Sequence, residues 1–420
     1  MSRYFDYEAL YREQEQKLPA FIQHLYHHSP FYRDKLKAAG VQPEEVRTLE
    51  DLARVPFTDK HELRDAYPLG LAAVAEEQIV RIHSSSGTTG KPIIIPYTAG
   101  DVALWAEMVA RCFRTAGVEP RDRVQITPGY GLWTAGIGFQ AGVERLGAMA
   151  IPTGAGNTEK QLEMMEDLKT TVLVATASYA LLLAEEVARR GLQPKLHLRL
   201  GIFGSERWGE KMRQRIEEIL KIDTFDIYGL TEIYGPGIGI DCPAHEGIHM
   251  WTDHLLLEII DPATGKQLPP GEQGELVITT LTKEGAPLLR YRTHDLTRLK
   301  REACSCGSPF PLMDRILGRT DDMVKVKGVN IYPGQVDHIL YLTPGASSEY
   351  QIILRRNQGK DDIEIVVECE PGANAAAVAD RCRHYIKTKI GVTARVTAVP
   401  QGSLPRSEKK TRRVLDYREG

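Results

Sequence analysis

The chain has 420 residues, of which 42% are hydrophobic and 26% charged, and a formal net charge of −3. That length exceeds one ordinary core and predicts two domains, while the near-neutral charge excludes a surface-wide attraction to nucleic acid or anionic membrane. No apolar stretch reaches the ~18 residues that a membrane-spanning helix requires.

The N-terminus, MSRYFDYEAL, has neither an apolar signal core nor the acid-poor character of a transit peptide, so the cytoplasm is the expected location. Up to about residue 80 the pattern is amphipathic and helical, as in EALYREQEQKLPAFIQHLYHH. Beyond Ile82, short β-branched runs (VQIT, AMAIP, TVLVAT, LRLGIFG) alternate with helical stretches such as DVALWAEMVARCFRTAG and TEKQLEMMEDLKT. That alternation predicts parallel sheet built from βαβ units. Past Met250, HLLLEIIDPATGKQLPPGEQGELVITTL reads as two strands joined by a Pro/Gly turn, an antiparallel feature. From Gly318 a compact α+β segment follows: strands in MVKVKGVNIYP, YQIILRR, DDIEIVVECE and TARVTAVP, helices in GQVDHILYL and NAAAVADRCRHYIKTKIG. No long linker is evident, so the boundary near 318–321 is expected to be a short hinge.

Cys112, Cys369 and Cys382 fall in regular segments, where a free cysteine acts as a small buried hydrophobe. Cys242, Cys304 and Cys306 lie in turn-rich surroundings. A disulfide framework is not expected in a large chain without a secretion signal.

The stretch IHSSSGTTGKPIIIPYT concentrates small donors and one lysine at a single bend. Glycines let backbone N–H groups approach an anion, hydroxyls add donors and Lys91 adds charge, a design for phosphate. It is not a Walker A loop: Ser85 stands where the first glycine belongs, and Pro92 follows the lysine. The alternative is a solvent-exposed loop of small residues.

SSSGTTGKP resembles the phosphate loop of the adenylate-forming acyl-CoA synthetase superfamily, and four further motifs follow in that superfamily's order. They are DIYGLTE (226–232), YRTHD (291–295), GRTDDMVKVKGVNIYP (318–333) and LPRSEKKTRRV (404–414). GYGLWTAGIGFQAGVERLGAMAIP, IFGSERW and KGVNIYPGQVD are similar to the phenylacetate–CoA ligase family, a likeness running from about Tyr4 to Tyr417. The resemblance implies an α/β fold: a large N-terminal domain of layered α/β sheets with an antiparallel sub-barrel (1–320) and a small mobile α+β C-terminal domain (321–420). It implies an ATP-dependent, AMP-forming aryl-acid:CoA ligase, with phenylacetate first among the acids. Ligation of another aryl acid, loading of a carrier protein, or nucleotide sensing without turnover stay open.

The resemblance also implies roles. Ser84, Ser85, Ser86, Gly87, Thr88, Thr89, Gly90 and Lys91 would cradle the β- and γ-phosphates of ATP, with Thr88, Thr89 and Lys91 in direct contact. Glu232 would hold Mg²⁺ and Thr231 would donate to the α-phosphate. Asp226, Tyr228 and Gly229 belong to the same nucleotide segment, Tyr228 offering a flat face to adenine. Gly204, Ser205 and Glu206 end a strand on the adenine side. Asp295 would accept from the ribose hydroxyls and Arg319 would brace ribose or phosphate. Lys410 would be the catalytic lysine, with the preceding Lys409 standing where the family commonly has glycine and so competing for the part. Asp321 would be the hinge, Gly328 would line the pantetheine tunnel of coenzyme A, and Tyr130 and Trp133 would wall the acyl pocket, with core packing the alternative for Trp133. Partners are thus small molecules, with a homodimer as a further expectation.

Cys304-Ser305-Cys306 is a thiolate pair in a turn, and Cys242 lies about 60 residues earlier, followed by His245 and His249. Some members of the family carry cysteines in both places. Structural Zn²⁺ on Cys242, His249, Cys304 and Cys306 is expected, with His245 as the substitute for His249; the alternative is reduced cysteines at a domain edge.

Overall fold

The structure, a computed structural model, describes residues 3–85, 91–357, 360–408 and 410–418. The chain divides into two compact units, one of residues 1–154 and 225–315, the other of 155–224 and 316–420.

In the first unit the helix Tyr7–His28 starts where the Asp6 carboxylate accepts from the Ala9 amide. Its Leu18, Phe21, Ile22 and Leu25 recur at helical spacing on one buried face and join Leu256, Leu281 and Leu289 in a single apolar cluster. Those leucines come from and beside an antiparallel ladder in the spatial order Gln267–Leu268, Leu255–Ile260, Gly274–Thr280, Tyr291–Thr297. The two strands predicted after Met250 are therefore antiparallel neighbours. A second antiparallel ladder runs Asp223–Leu230, Gly235–Asp241, Ile248–Met250, Leu312–Met313. The strands Arg123–Ile126 and Met149–Ile151 pair in parallel, with the helix Thr134–Leu146 between them in sequence, the expected βαβ unit. The hairpin Arg81–Ser84 with Ile94–Tyr97 brackets the serine-rich loop, Ser84 opposite Ile94.

In the second unit Val172–Thr176 pairs in parallel with Leu200–Gly204. The helix Ala177–Arg190 begins at a Thr176 cap and stops at Gly191, whose φ of 63° supplies the left-handed turn. This helix and Glu210–Leu220 share an apolar core drawn only from residues 162–222. The C-terminal part has its own core, drawn from residues 324–414. There the sheet order is Arg395–Pro400, Lys360–Cys369, Ala346–Asn357, Val414–Asp416, with the helices Pro333–Tyr341 and Ala375–Tyr385. The α+β segment predicted from Gly318 onward thus has the elements expected of it. Residues 155–224 and 316–420 form one unit through polar ties, while their apolar cores stay separate. Among the described residues, no helix is long and apolar enough to cross a membrane.

Candidate active site

The serine-rich bend grows out of the hairpin Arg81–Ser84/Ile94–Tyr97. Ser85 closes its base twice: its amide donates to the Ile93 carbonyl at 3.1 Å, and its Oγ accepts from the Ile93 amide at 3.1 Å. The Ser84 amide donates to the Leu132 carbonyl, and its hydroxyl to the Ser85 carbonyl. Ser86, Gly87, Thr88, Thr89 and Gly90 lie outside the described residues. Lys91 is exposed, its Nζ 5.3 Å from the Tyr67 ring centroid.

The second motif runs from strand into turn. Asp226 and Tyr228 sit on Asp223–Leu230, and Thr231 and Glu232 open the turn to the next strand. Gly229 is there because nothing larger fits: a Cβ would lie 1.9 Å from the Gly235 carbonyl oxygen. The Tyr228 hydroxyl donates to Asp295 Oδ2 at 2.6 Å, joining two sequence-predicted residues that are 67 positions apart. Thr231 Oγ1 lies 3.3 Å from Thr134 Oγ1. Glu232 is buried and pairs with Lys60 Nζ at 3.3 Å.

Tyr130 and Trp133 flank the start of the helix Thr134–Leu146. Trp133 is 45% exposed, which rules out core packing for it. The Tyr130 hydroxyl is buried with no hydrogen-bond partner among the described residues, and burial pushes its pKa up to about 12. A Cβ at Gly136 would meet the Tyr130 ring at 2.7 Å, so glycine is what lets the helix begin against that ring.

The remaining predicted residues belong to the second unit. Gly204 ends its strand, and Ser205 turns the chain with a φ of 69°. Glu206 accepts from the Ser178 amide and hydroxyl and from the Thr411 amide at 2.8, 2.9 and 3.1 Å. Burial pushes its carboxyl up, against those donors and the Arg413 charge. Arg319 grips Asp321 through two bonds of 2.8 and 2.9 Å. Lys327 and Gly328, with φ of 50° and 81°, are the two-residue turn of the hairpin Val324–Val326/Val329–Ile331. A side chain on Gly328 would meet nothing within 4 Å. Lys410 lies in an irregular, exposed stretch whose carbonyl accepts from Ser407 Oγ, one residue before Thr411; Lys409 is not among the described residues.

Two family models account for most of the chain: "AMP-binding enzyme" over residues 15–282 and "AMP-binding enzyme C-terminal domain" over residues 328–418. The phenylacetate-coenzyme A ligase of Thermus thermophilus is 44% identical, over 98% of this chain and 97% of its own. The phenylacetate-coenzyme A ligase of Pseudomonas putida is 43% identical, over 98% and 95%.

The chain belongs to the phenylacetate-coenzyme A ligase family of AMP-binding enzymes.

It is therefore an acyl-CoA ligase by class. Among solved structures, 2-hydroxyisobutyryl-CoA ligase in its postadenylation state with R3-HIB-AMP matches with a TM-score of 0.87 at 30% identity, covering 96% of this chain and 89% of that one. The same ligase with 2-HIB-AMP and CoA in the thioesterification state matches at 0.73 and 31% identity, covering 100% and 93%.

Cys242, His249, Cys304 and Cys306 converge, with their ligand atoms all within 4.8 Å of one another. Cys242 Sγ lies 3.6 Å from Cys304 Sγ, and Cys306 Sγ lies 3.3 Å from His249 Nε2. His249 Nδ1 lies 3.2 Å from the Phe310 carbonyl, which makes Nδ1 the protonated donor and turns the Nε2 lone pair toward the thiols. His245 points elsewhere, its Nδ1 3.2 Å from the Asp241 carboxylate. Three sulfurs and one imidazole nitrogen fit a tetrahedral zinc set.

Sequence reasoning missed Lys60, His83 and Lys283. Lys60 pairs with Glu232 from a helix named only as amphipathic. His83 is buried beside Tyr97 and Trp105, and its Nε2 has no partner among the described residues; burial pulls its pKa down to about 4. Lys283 is buried, and its ammonium donates to the carbonyl of Ile233. Its segment TLTKEGAP reads as a polar turn between strands, so nothing local signals a buried cation.

Proposed function

We propose that the enzyme joins phenylacetate to coenzyme A in two steps driven by ATP. The observation that carries this reading is identity of 42–44% to phenylacetate-coenzyme A ligases across 96–98% of the chain. The aromatic pair Tyr130 and Trp133, one with an unpartnered buried hydroxyl and the other open to solvent, supports an aryl-acid wall.

In the first step a carboxylate oxygen attacks the α-phosphorus of ATP and pyrophosphate leaves. In the second the thiolate of coenzyme A attacks the acyl carbon, and AMP departs as a far better leaving group than oxide. Lys410 bridges the carboxylate and the α-phosphate, offsetting the repulsion between two anions. Thr231 donates to the α-phosphate, while the Ser84–Lys91 loop covers the β- and γ-phosphates. Asp295, held by the Tyr228 hydroxyl, accepts from the ribose. Glu206 and its neighbours Gly204 and Ser205 border adenine, and Arg319 braces the ribose side. Asp226 and Gly229 shape the strand that carries Tyr228.

Glu232 fits a magnesium site: it is a buried, hard oxygen donor with a lysine as its only ion-pair partner among the described residues, and Mg²⁺ commonly takes one or two protein carboxylates plus phosphate oxygens. When bound, the ion neutralises phosphate charge. Cys242, His249, Cys304 and Cys306 would hold a structural Zn²⁺ that ties the Gly235–Met250 strands to the 304–313 loop.

One lysine cannot remain at the carbonyl while coenzyme A approaches it. We place the functional boundary at 320/321, with Asp321 as the hinge about which residues 322–420 turn between the steps, bringing Gly328 to the pantetheine. Thioester formation from ATP, coenzyme A and a panel of aryl acids tests the reading. Phenylacetate should give the highest kcat/KM; no thioester from any aryl acid, with ATP still bound, would overturn it.

A further inference from the structure

Within the second unit the Lys410 segment is held by carboxylates and hydroxyls, not by apolar packing. Arg406 stretches its guanidinium between two acids. Nε and Nη2 donate to Glu185 at 2.9 Å each, and Nη1 and Nη2 donate to Glu368 at 3.0 and 2.8 Å. Two residues before Lys410, Glu408 accepts from Thr158 Oγ1 at 3.2 Å. Immediately after it, the Thr411 amide donates to Glu206, and Thr411 Oγ1 lies 2.6 Å from Ser178 Oγ. Residues 406, 408 and 411 are thus each fastened to the 158–206 segment, with Lys410 between the fastenings.

The two sides differ in what they keep. Glu368 lies on the C-terminal strand Lys360–Cys369 and would travel with Arg406, whereas Glu185, Ser178 and Thr158 stay with the helices of residues 155–224. These ion pairs and hydroxyl contacts reach the surface, Arg406 and Glu185 keeping 12% and 23% exposure, so water can replace each partner when the joint opens. A joint made of them fixes a backbone in register yet separates without exposing an apolar face, which is what a part that must dock and leave in every turnover requires.

We propose that Glu185 and Ser178 are positioning residues for adenylation: they hold the chain on both sides of Lys410 in the arrangement that serves the first step, and they release it for the second. The inference rests on the assignment of Lys410 to that step.

The test separates the half-reactions in Glu185→Gln and Ser178→Ala enzymes, with Glu185→Asp as the conservative variant and Lys410→Ala measured alongside. Phenylacetate-dependent ATP–pyrophosphate exchange should fall by about tenfold or more in the Gln and Ala variants and recover in part in the Asp variant. Thioester formation from supplied phenylacetyl-adenylate and coenzyme A should be unchanged or faster. Equal losses in both half-reactions would mark a merely structural role and overturn the proposal. So would undiminished exchange in Glu185→Gln and Ser178→Ala while Lys410→Ala is inactive in exchange, an outcome that leaves the lysine assignment standing. Undiminished exchange in Lys410→Ala would remove that assignment and the proposal together.

Discussion

The ammonium of Lys283 lies between two tyrosine rings, 4.1 Å from the Tyr97 centroid and 4.2 Å from that of Tyr234, and donates to the carbonyl of Ile233. Ile233 follows Glu232, so a buried cation holds the turn that presents the proposed magnesium ligand. Burial pulls its pKa down to about 7, with the charge of Asp101 acting in the opposite sense. Lys283→Met leaves the Ile233 carbonyl without its donor and should cost about 1–3 kcal/mol in urea unfolding.

The same lysine sets a pH dependence. Its pKa is lower folded than unfolded, so between about pH 7 and 10 the unfolded chain binds more protons than the native one. Its contribution to stability is therefore full at high pH and lost as pH falls toward 7, with a slope of at most about 1.4 kcal/mol per pH unit. The stability difference between the native enzyme and Lys283→Met should widen from pH 7 to pH 9 in denaturant titrations. A constant difference would show that the ring faces and the carbonyl keep the proton on.

Asp321 is gripped by Arg319 and lies in the stretch assigned to the hinge. Proline there restricts φ and should impair the turn of residues 322–420. Asp321→Pro is expected to leave pyrophosphate exchange within about threefold of native and to slow thioester formation by about tenfold or more. Matched losses in both assays would count against a hinge at this position.

The Cys242, His249, Cys304, Cys306 cluster should carry about one equivalent of zinc when the protein is purified without added metal. Mass-spectrometric metal analysis decides it, and a content below about 0.2 equivalents removes the site. Cys304→Ser should lower the zinc content and the thermal midpoint together, whereas His245→Ala should leave the content unchanged.

The buried hydroxyl of Tyr130 makes no hydrogen bond among the described residues, so its removal takes nothing from the fold. Tyr130→Phe should change stability by under about 0.5 kcal/mol. If the phenol reads the acid, the variant should instead shift the ranking of phenylacetate against hydroxyphenylacetates in kcat/KM. An unchanged ranking would limit Tyr130 to a wall.

Much of this enzyme is legible locally. The runs VQIT, TVLVAT and LRLGIFG become strands in parallel pairs or beside them because short, largely apolar runs suit burial on both faces. The α+β tail is likewise readable from its alternation. The strands Gly235–Asp241 and Ile248–Met250 are not: GPGIGID carries three glycines where strand preference asks for side chains. Packing explains them, since a Cβ at Gly237 would come within 2.5 Å of Val109 and one at Gly239 within 2.6 Å of Met250.

By itself the order of residues determined which chemistry the chain carries. Hydroxyls, glycine and lysine at one bend point to an anion through local spacing, which sets what a loop can donate, while the acid closing YGLTE and the amine in the tail take their proposed roles from resemblance to the phenylacetate–CoA ligase family. Tertiary structure decided everything that depends on distance in space between residues remote along the chain. It chose His249 over His245 for the sulfur cluster, set Tyr228 on Asp295, buried Lys283 behind Glu232 and fastened both sides of Lys410 to Glu185, Glu206 and Ser178. Hydrogen bonds and ion pairs act over about 3 Å, and only the packing of the whole chain brings their partners that close.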